Sequence, residues 1–132
     1  MNGACGTILV IDDETPIRNL FRDALEGWGY AVDTAPTGEA GLELLRQKSY
    51  DVVLTDYLMP GISGVEVARV VQRENRATTV ILVTGSANDD EFRAARRCNV
   101  TVLSKPVALE ELRAAICRAV RLGVRELVEF PA

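Results

Sequence analysis

Carboxylate, hydroxyl and ammonium side chains follow four short apolar runs of the chain. These groups belong to Asp12, Asp13, Asp56, Thr84 and Lys105. Clustered carboxylates repel one another and need a cation. Carboxylate oxygens without imidazole or thiolate ligands suit a hard ion such as Mg²⁺. Beside such an ion a carboxylate can attack phosphorus, while an ammonium and a hydroxyl meet the remaining phosphoryl oxygens. The residue types therefore predict phosphoryl-transfer chemistry if the fold brings them together.

Five short runs rich in β-branched residues are predicted to be strands. They are residues 8–11, 31–32, 52–54, 80–83 and 100–103. Three of them are continuous rather than alternating, which is typical of strands buried on both faces of a parallel sheet. Functional sites of such sheets lie at the carboxyl ends of the strands. The carboxylates, Thr84 and Lys105 are therefore expected to meet at one rim.

Segments with a helical period separate these runs, near residues 15–28, 39–47, 63–71, 88–96 and 109–120. Thr15 and Pro16 are typical of an N-cap and the first helical residue, and Gly27 and Gly29 predict the end of that helix. Residues 63–66 and 88–91 each have a capping-box pattern. Strict alternation of strand and helix predicts a single α/β domain with right-handed crossovers and helices on both faces of a parallel sheet.

The length and composition of the chain limit the classes of protein and of catalytic site that it can form. The chain has 132 residues, 48% apolar and 26% charged, which fits one globular domain. It contains no histidine, which excludes a Ser-His-Asp triad, a histidine base and histidine-ligated zinc. The net charge of −4 argues against direct nucleic-acid binding. Three cysteines without metal-ligand spacing and the lack of a secretory signal predict the cytoplasm, and no apolar run is long enough to span a membrane.

Four blocks of sequence carry a family resemblance. They are Ile-Leu-Val-Ile-Asp-Asp-Glu at 8–14, Asp-Val-Val-Leu-Thr-Asp-Tyr-Leu-Met-Pro-Gly-Ile-Ser-Gly-Val-Glu at 51–66, Val-Ile-Leu-Val-Thr-Gly at 80–85 and Leu-Ser-Lys-Pro at 103–106. Over residues 7–122 the chain resembles the receiver domain of two-component response regulators, the CheY-like superfamily. The resemblance implies a doubly wound (βα)5 flavodoxin-like domain with five parallel strands in the order 2-1-3-4-5. Residues 1–6 then form an N-terminal extension.

The resemblance also implies a set of site residues. Asp56 corresponds to the phosphoacceptor, which takes its phosphoryl group from a histidine kinase or a phosphotransfer protein. Mg²⁺ is the implied cofactor. Asp13 resembles its direct ligand and Asp12 acts mainly through water, while Asp56 and the backbone carbonyl of Leu58 complete the protein ligands.

Two further side chains match the family pattern. Thr84 corresponds to the switch hydroxyl and Lys105 to the phosphate-binding lysine. In the family the acyl phosphate later hydrolyses in the same site. The resemblance thus implies a signalling switch that promotes only its own phosphotransfer and dephosphorylation, not an enzyme that turns over a separate substrate.

Three alternatives fit the residues less well. A haloacid-dehalogenase phosphatase also uses an aspartate nucleophile with Mg²⁺, but it needs a second Asp two residues later, where Leu58 stands. A flavodoxin-like or dinucleotide-binding module would hold phosphate with Gly, Ser or Thr in the first loop, whereas Asp12, Asp13 and Glu14 would repel it. A degenerate receiver, used only as a binding scaffold, would lack a key side chain, and none is missing.

The residues around the site predict how the signal is read. Val102 stands three residues before Lys105, where receivers commonly place an aromatic residue that moves during activation. A valine has one strongly preferred rotamer, so we expect residues 84–86 and the helix after them to respond without an aromatic gate. The sizes of Tyr57, Leu58 and Ser86 are expected to influence how water reaches the phosphoryl group.

The last third of the chain predicts a partner surface. Its arginines are Arg93, Arg96, Arg97, Arg113, Arg118, Arg121 and Arg125. We expect a face formed by the fourth helix, the fifth strand and the fifth helix to bind a downstream protein with an acidic surface. Residues 123–132 form a C-terminal extension, in which apolar residues continue the helical period past Gly123. The last helix is therefore expected to run on into a homodimer contact or a linker.

Overall fold

Five parallel strands form one sheet in the order β2-β1-β3-β4-β5. The computed structural model describes residues 5–74, 77–85 and 100–129. The strands are β1 (Thr7–Ile11), β2 (Ala31–Ala35), β3 (Val52–Asp56), β4 (Thr79–Thr84) and β5 (Thr101–Ser104). The described helices are α1 (Thr15–Gly27), α2 (Gly38–Gln47), α3 (Gly64–Glu74) and a C-terminal helix (Leu109–Glu129). The expected flavodoxin-like strand order is confirmed.

The two central strands are buried on both faces. Ile8 and Leu9 of β1 and Val52 and Val53 of β3 are each 0% exposed. Successive strand residues point to opposite faces. Ile8 and Val52 therefore pack against α1 and the C-terminal helix, whereas Leu9 and Val53 pack against α2 and α3. Because residues pointing to either face of the sheet are buried, these apolar runs are continuous rather than alternating in sequence.

Helix α1 begins one residue earlier than its sequence predicts. Glu14, not Thr15, is the N-cap residue, and it makes no side-chain capping hydrogen bond. The predicted N-cap at Thr15 is therefore wrong. The backbone N–H of Arg18 donates to the Glu14 carbonyl at 2.9 Å, which makes Glu14 the first acceptor of the helix. The Thr15 hydroxyl instead accepts a hydrogen bond from the Arg18 guanidinium at 3.3 Å.

The end of α1 is set by a glycine, as predicted. Gly29 has a φ of 101°, a conformation that glycine adopts without a steric cost. Its N–H donates to the Glu26 carbonyl at 3.0 Å, and the Tyr30 N–H donates to the Leu25 carbonyl at 3.1 Å. These two bonds form a Schellman motif. Strand β2 begins directly after this turn, at Ala31.

Side chains cap the next two helices. The predicted capping box of α3 is confirmed: the Glu66 N–H donates to the Ser63 hydroxyl, and the Ser63 N–H donates to the Glu66 carboxylate, both at 3.3 Å. Thr37 caps α2 by accepting a hydrogen bond from the Ala40 N–H at 3.0 Å. This second cap is absent from the sequence prediction.

Other element boundaries differ from the sequence prediction. Strand β2 extends to Ala35, because its polar residue Asp33 is held by hydrogen bonds from the Tyr50 hydroxyl at 2.6 Å and the Lys48 ammonium at 2.8 Å. The helix predicted near residues 88–96 lies outside the described residues. The C-terminal helix continues through Gly123. Among the described residues, no helix is both long and apolar enough to cross a membrane.

Substitution of Gly64 should destabilise the domain, because this glycine lets α3 approach the end of β3. A Cβ at this position would clash with the backbone oxygen of Asp56 and lie 2.8 Å from Leu82 Cδ2. We expect Gly64→Ala to lower the free energy of unfolding by about 1–3 kcal/mol, the usual cost of overpacking. Urea denaturation measures this change.

Gly27→Ala is the matched control, since a Cβ at Gly27 of α1 would meet nothing within 4 Å. It should be neutral or stabilising by up to about 1 kcal/mol. Equal stability of the two variants would contradict the close approach at Gly64.

Candidate functional site

The carboxyl ends of β1, β3, β4 and β5 open into one cleft of about 310 Å³. Its lining residues are Asp13, Glu14, Asp56, Tyr57, Leu58, Thr84, Gly85 and Lys105. The strand ends meet there because β3 pairs in parallel with β1 and β4, and β4 pairs in parallel with β5. The structure thus brings Asp13, Asp56, Thr84 and Lys105 together at one rim.

Three carboxylates crowd one side of the cleft. One oxygen from each of Asp12, Asp13 and Asp56 lies within 4.8 Å of the other two. Asp12 is 2% exposed and Asp56 is 8% exposed, whereas Asp13 is open to solvent. Hard oxygen donors at this spacing fit Mg²⁺. Leu58, whose backbone carbonyl is the expected additional ligand, lines the same cleft.

Asp12 is the most buried of the three acids. Its Oδ1 accepts a hydrogen bond from the Glu14 N–H at 2.9 Å. Burial raises the pKa of Asp12 above its ordinary value of 3.8, and the charges of Asp56 and Asp13 raise it further, against the effects of the Glu14 hydrogen bond and the Lys105 charge. Ionised Asp12 therefore costs folding free energy in the metal-free protein. A bound cation would offset that cost.

Lys105 reaches Asp56 from the end of β5. Its Nζ lies 3.0 Å from Asp56 Oδ1, and its backbone N–H donates to the Thr84 carbonyl at 2.8 Å. The Lys105–Pro106 peptide bond is cis. Burial lowers the pKa of Lys105, but its hydrogen bond with Asp56 and the charges of Asp56, Asp12 and Glu14 outweigh burial and raise the pKa above its ordinary value. Lys105 therefore keeps its positive charge at neutral pH.

The residues beside Asp56 differ in their access to the cleft. Thr84, the last residue of β4, is 2% exposed and lines the cleft. The Tyr57 side chain is 1% exposed and packs in the core, although the residue also lines the cleft, so the influence of its size on water access stays a prediction. Leu58 is 68% exposed and remains a candidate for that role. Ser86 lies outside the described residues.

Arg18 is absent from the sequence prediction, whereas Glu14 was grouped there with the acids of the first loop. Glu14 lines the cleft, and Arg18 donates through Nη1 to the carbonyl oxygen of Asp12 at 2.8 Å. Residues four apart on a helix lie on the same side, so Arg18 lies on the Glu14 side of α1, one turn further along. That spacing, directly after an acidic run, is the signal that identifies Arg18.

The predicted basic face is only partly supported. Arg113, Arg118 and Arg121 are exposed on the C-terminal helix. The Arg113 guanidinium lies 5.4 Å from the ring centre of Trp28, at the end of α1. Arg118 follows five residues later, about 140° around the helix, so Arg113 and Arg118 do not share one face. Arg93, Arg96, Arg97 and the side chain of Arg125 lie outside the described residues.

Comparison with known proteins identifies the family. A family model described as "Response regulator receiver domain" matches residues 8–117. The chain belongs to this receiver-domain family. The receiver domain is 34% identical to a response regulator receiver domain protein from Clostridium thermocellum, with a TM-score of 0.84 over 92% of this chain and 98% of that chain. It is 33% identical to the response regulator protein TrrA from Thermotoga maritima, solved in complex with Mg²⁺-BeF, with a TM-score of 0.77 over 86% and 97% of the two chains.

Longer relatives contain similar sequences. The receiver domain is 40% identical over 121 residues to the virulence sensor protein BvgS of Bordetella pertussis. It is 31% identical over 136 residues to the transcriptional regulatory protein ZraR of Klebsiella oxytoca. These matches cover 86% and 100% of this chain but 10% and 31% of the relatives. The chain therefore spans less than a third of each.

Removal of the Asp12 charge should stabilise the metal-free domain at pH 7. Asp12→Asn keeps an oxygen that can accept from the Glu14 N–H but removes the charge whose burial is costly. The folded-state pKa lies above the unfolded value, so the folded state binds more protons between the two and stability falls as pH rises through that window. In urea with a chelator, we expect the variant to be more stable than wild type at pH 7. The difference should shrink as pH falls towards 3.8.

Asp23→Asn is the control, because the Asp23 side chain is 70% exposed on α1. It should change stability little at either pH. Saturating Mg²⁺ should favour the wild type by mass action. A lower stability of Asp12→Asn than of wild type, at pH 7 with chelator, would contradict the cost assigned to this buried charge.

Proposed function

We propose that the receiver domain is a phosphoacceptor switch. In this proposal Asp56 accepts a phosphoryl group from a histidine kinase or a phosphotransfer protein, in a Mg²⁺-dependent reaction, and the acyl phosphate changes a partner-binding face. The supporting observation is the position of the Asp56 carboxylate. It lies 3.0 Å from the Lys105 ammonium and within 4.8 Å of oxygens of Asp12 and Asp13.

The proposed chemistry is substitution at phosphorus. An Asp56 oxygen forms the new P–O bond while the P–N bond of a phosphohistidine on the donor breaks, and the electron pair leaves with the imidazole nitrogen. In the later hydrolysis, the water oxygen bonds to phosphorus while the bond between phosphorus and the Asp56 oxygen breaks. Asp56 keeps that electron pair as a carboxylate, and the two water protons go to inorganic phosphate or to the solvent. Both steps depend on positioning and charge stabilisation more than on acid–base chemistry.

The acidic side of the cleft is the proposed Mg²⁺ site. Asp13, Asp56 and the Leu58 carbonyl would hold the ion directly, and Asp12 would act mainly through water. When bound, Mg²⁺ supplies positive charge that offsets the carboxylate repulsion and the charge of the phosphoryl oxygens. The hard oxygen donors and their mutual spacing support this assignment.

The opposite side of the cleft is proposed to bind phosphoryl oxygens. Lys105 donates to Asp56 Oδ1 in the structure, and its long flexible side chain can follow the negative charge outward when Asp56 is phosphorylated. Thr84 lines the cleft beside it and supplies a hydroxyl. Together they provide the cation and the neutral donor that a phosphoryl group needs.

The proposed output is a change of binding partner rather than turnover of a substrate. We expect residues 84–86 and the segment after them to respond, because half-buried Val102 packs against the apolar core and has one preferred rotamer. Arg118 and Arg121 are exposed candidates for contact with an acidic partner.

The free thiols Cys5 and Cys117 are consistent with the reducing cytoplasm, which we propose as the location.

Phosphorylation should occur on Asp56 and require Mg²⁺. After incubation with acetyl phosphate and Mg²⁺, intact-protein mass spectrometry should detect one phosphoryl adduct, lost in chelator and in Asp56→Asn. Asp51→Asn is the matched control, because Asp51 directly precedes the other end of β3 and accepts from the Thr7 N–H there. That variant should be labelled normally. Wild-type labelling of Asp56→Asn would refute the phosphoacceptor assignment.

The two adjacent acids should contribute unequally to Mg²⁺ binding. We expect Asp13→Asn to weaken binding more than Asp12→Asn, because Asp13 is assigned direct ligation and Asp12 acts mainly through water. Calorimetric titration with MgCl₂ measures both affinities. Equal losses would show that the assignment of direct ligation to Asp13 is wrong.

A further inference from the structure

The loop between β1 and α1 carries two of the three clustered acids but lacks the usual restraint at a helix start. Glu14 is the N-cap residue and makes no side-chain capping hydrogen bond. Repulsion among Asp12, Asp13 and Asp56 favours their separation. The Asp12 N–H donates to the Ala35 carbonyl at 3.2 Å and the Glu14 N–H donates to Asp12 Oδ1 at 2.9 Å, but neither bond engages the carbonyl oxygen of Asp12.

Arg18 contacts that carbonyl oxygen. Its Nη1 donates to the carbonyl oxygen of Asp12 at 2.8 Å, and its Nη2 donates to the Thr15 hydroxyl at 3.3 Å. Its backbone N–H donates to the Glu14 carbonyl at 2.9 Å. The half-buried side chain thus joins both ends of the loop. A planar guanidinium holds two acceptors in fixed geometry, whereas an ammonium is a single point of charge.

We propose that Arg18 is a positioning residue for the cation site. It fixes the backbone of Asp12, and thereby the direction in which the Asp12 and Asp13 carboxylates face Asp56. The two side-chain hydrogen bonds end on a carbonyl oxygen and a hydroxyl oxygen, so the effect on the carboxylates is transmitted through the backbone. This inference rests on the proposed function, since it takes Mg²⁺ as the ligand.

Charge and positioning predict opposite effects for an Arg18 substitution. A positive side chain near a cation site repels the ion, so loss of its charge alone would tighten Mg²⁺ binding. Loss of positioning would weaken binding, by about tenfold if Arg18 resembles other outer-shell partners of metal ligands. The sign of the change therefore separates the two effects.

Calorimetric titration with MgCl₂ at fixed ionic strength tests the proposal on the full chain. We expect Arg18→Gln to bind about tenfold more weakly than wild type, and Arg18→Lys to be intermediate because one ammonium cannot hold both acceptors. Weakening in Arg18→Lys cannot come from lost charge. Arg22→Gln is the matched control: it removes the same charge one turn further along α1, where Arg22 pairs with Asp23. It should bind Mg²⁺ as tightly as wild type.

Amide hydrogen exchange in chelator gives a second readout that does not involve the ion. The Glu14 N–H, which donates to Asp12 Oδ1 at 2.9 Å, should exchange faster in both Arg18 variants. The Tyr30 N–H, which donates to the Leu25 carbonyl beyond the other end of α1, should be unchanged and so report an intact fold.

Equal or tighter Mg²⁺ binding by Arg18→Gln, with unchanged exchange at Glu14, would overturn the proposal while leaving Asp56 phosphorylation intact. Failure of wild type to bind Mg²⁺ at all would overturn the proposed function as well.

Discussion

Repulsion between carboxylates held at one sheet edge is the constraint on which the site depends. Asp12 and Asp56 are nearly buried and have oxygens within 4.8 Å of each other. At an effective dielectric constant of about 20, two unit charges at that distance repel by about 3 kcal/mol. That energy is a large part of the stability of a typical domain. The protein therefore needs positive charge and hydrogen-bond donors close by.

The fold provides that compensation from separate strand ends. Lys105 of the segment after β5 contacts Asp56, and the Glu14 N–H contacts Asp12. These donors do not offset the whole cost of the Asp12 charge, because burial, and after it the charges of Asp56 and Asp13, keep the pKa of Asp12 raised. Under the proposed function, this remaining cost would make the cluster responsive to a divalent cation. The same residues would then lower stability without the ion and supply affinity with it.

The sequence was sufficient for the features that depend on burial and strand order. Continuous apolar runs predicted buried parallel strands, and parallel strands place Asp56, Thr84 and Lys105 at one rim. The N-cap of α1 could not be predicted from local preference. Thr15 lies inside the helix, and its hydroxyl accepts a hydrogen bond from the Arg18 guanidinium instead of capping the helix.

Non-local contacts explain two further differences. Strand β2 looked shorter in sequence because Asp33 is polar, and its partners Lys48 and Tyr50 lie more than a dozen residues away. Arg113 contacts the ring of Trp28, which lies far away in the sequence. Sequence patterns do not reveal this contact, so Arg113 was assigned to the basic face. The roles of the site residues came from the family resemblance, and geometry alone does not assign them.

The dependence of phosphoryl binding on both Asp56 and Mg²⁺ is tested most directly by ¹⁹F NMR with beryllofluoride, a phosphoryl analogue. We expect protein-bound fluorine signals only when Mg²⁺ is present and only with Asp56 intact. Bound signals that persist in chelator, or in Asp56→Asn, would contradict a Mg²⁺-dependent acceptor at this position.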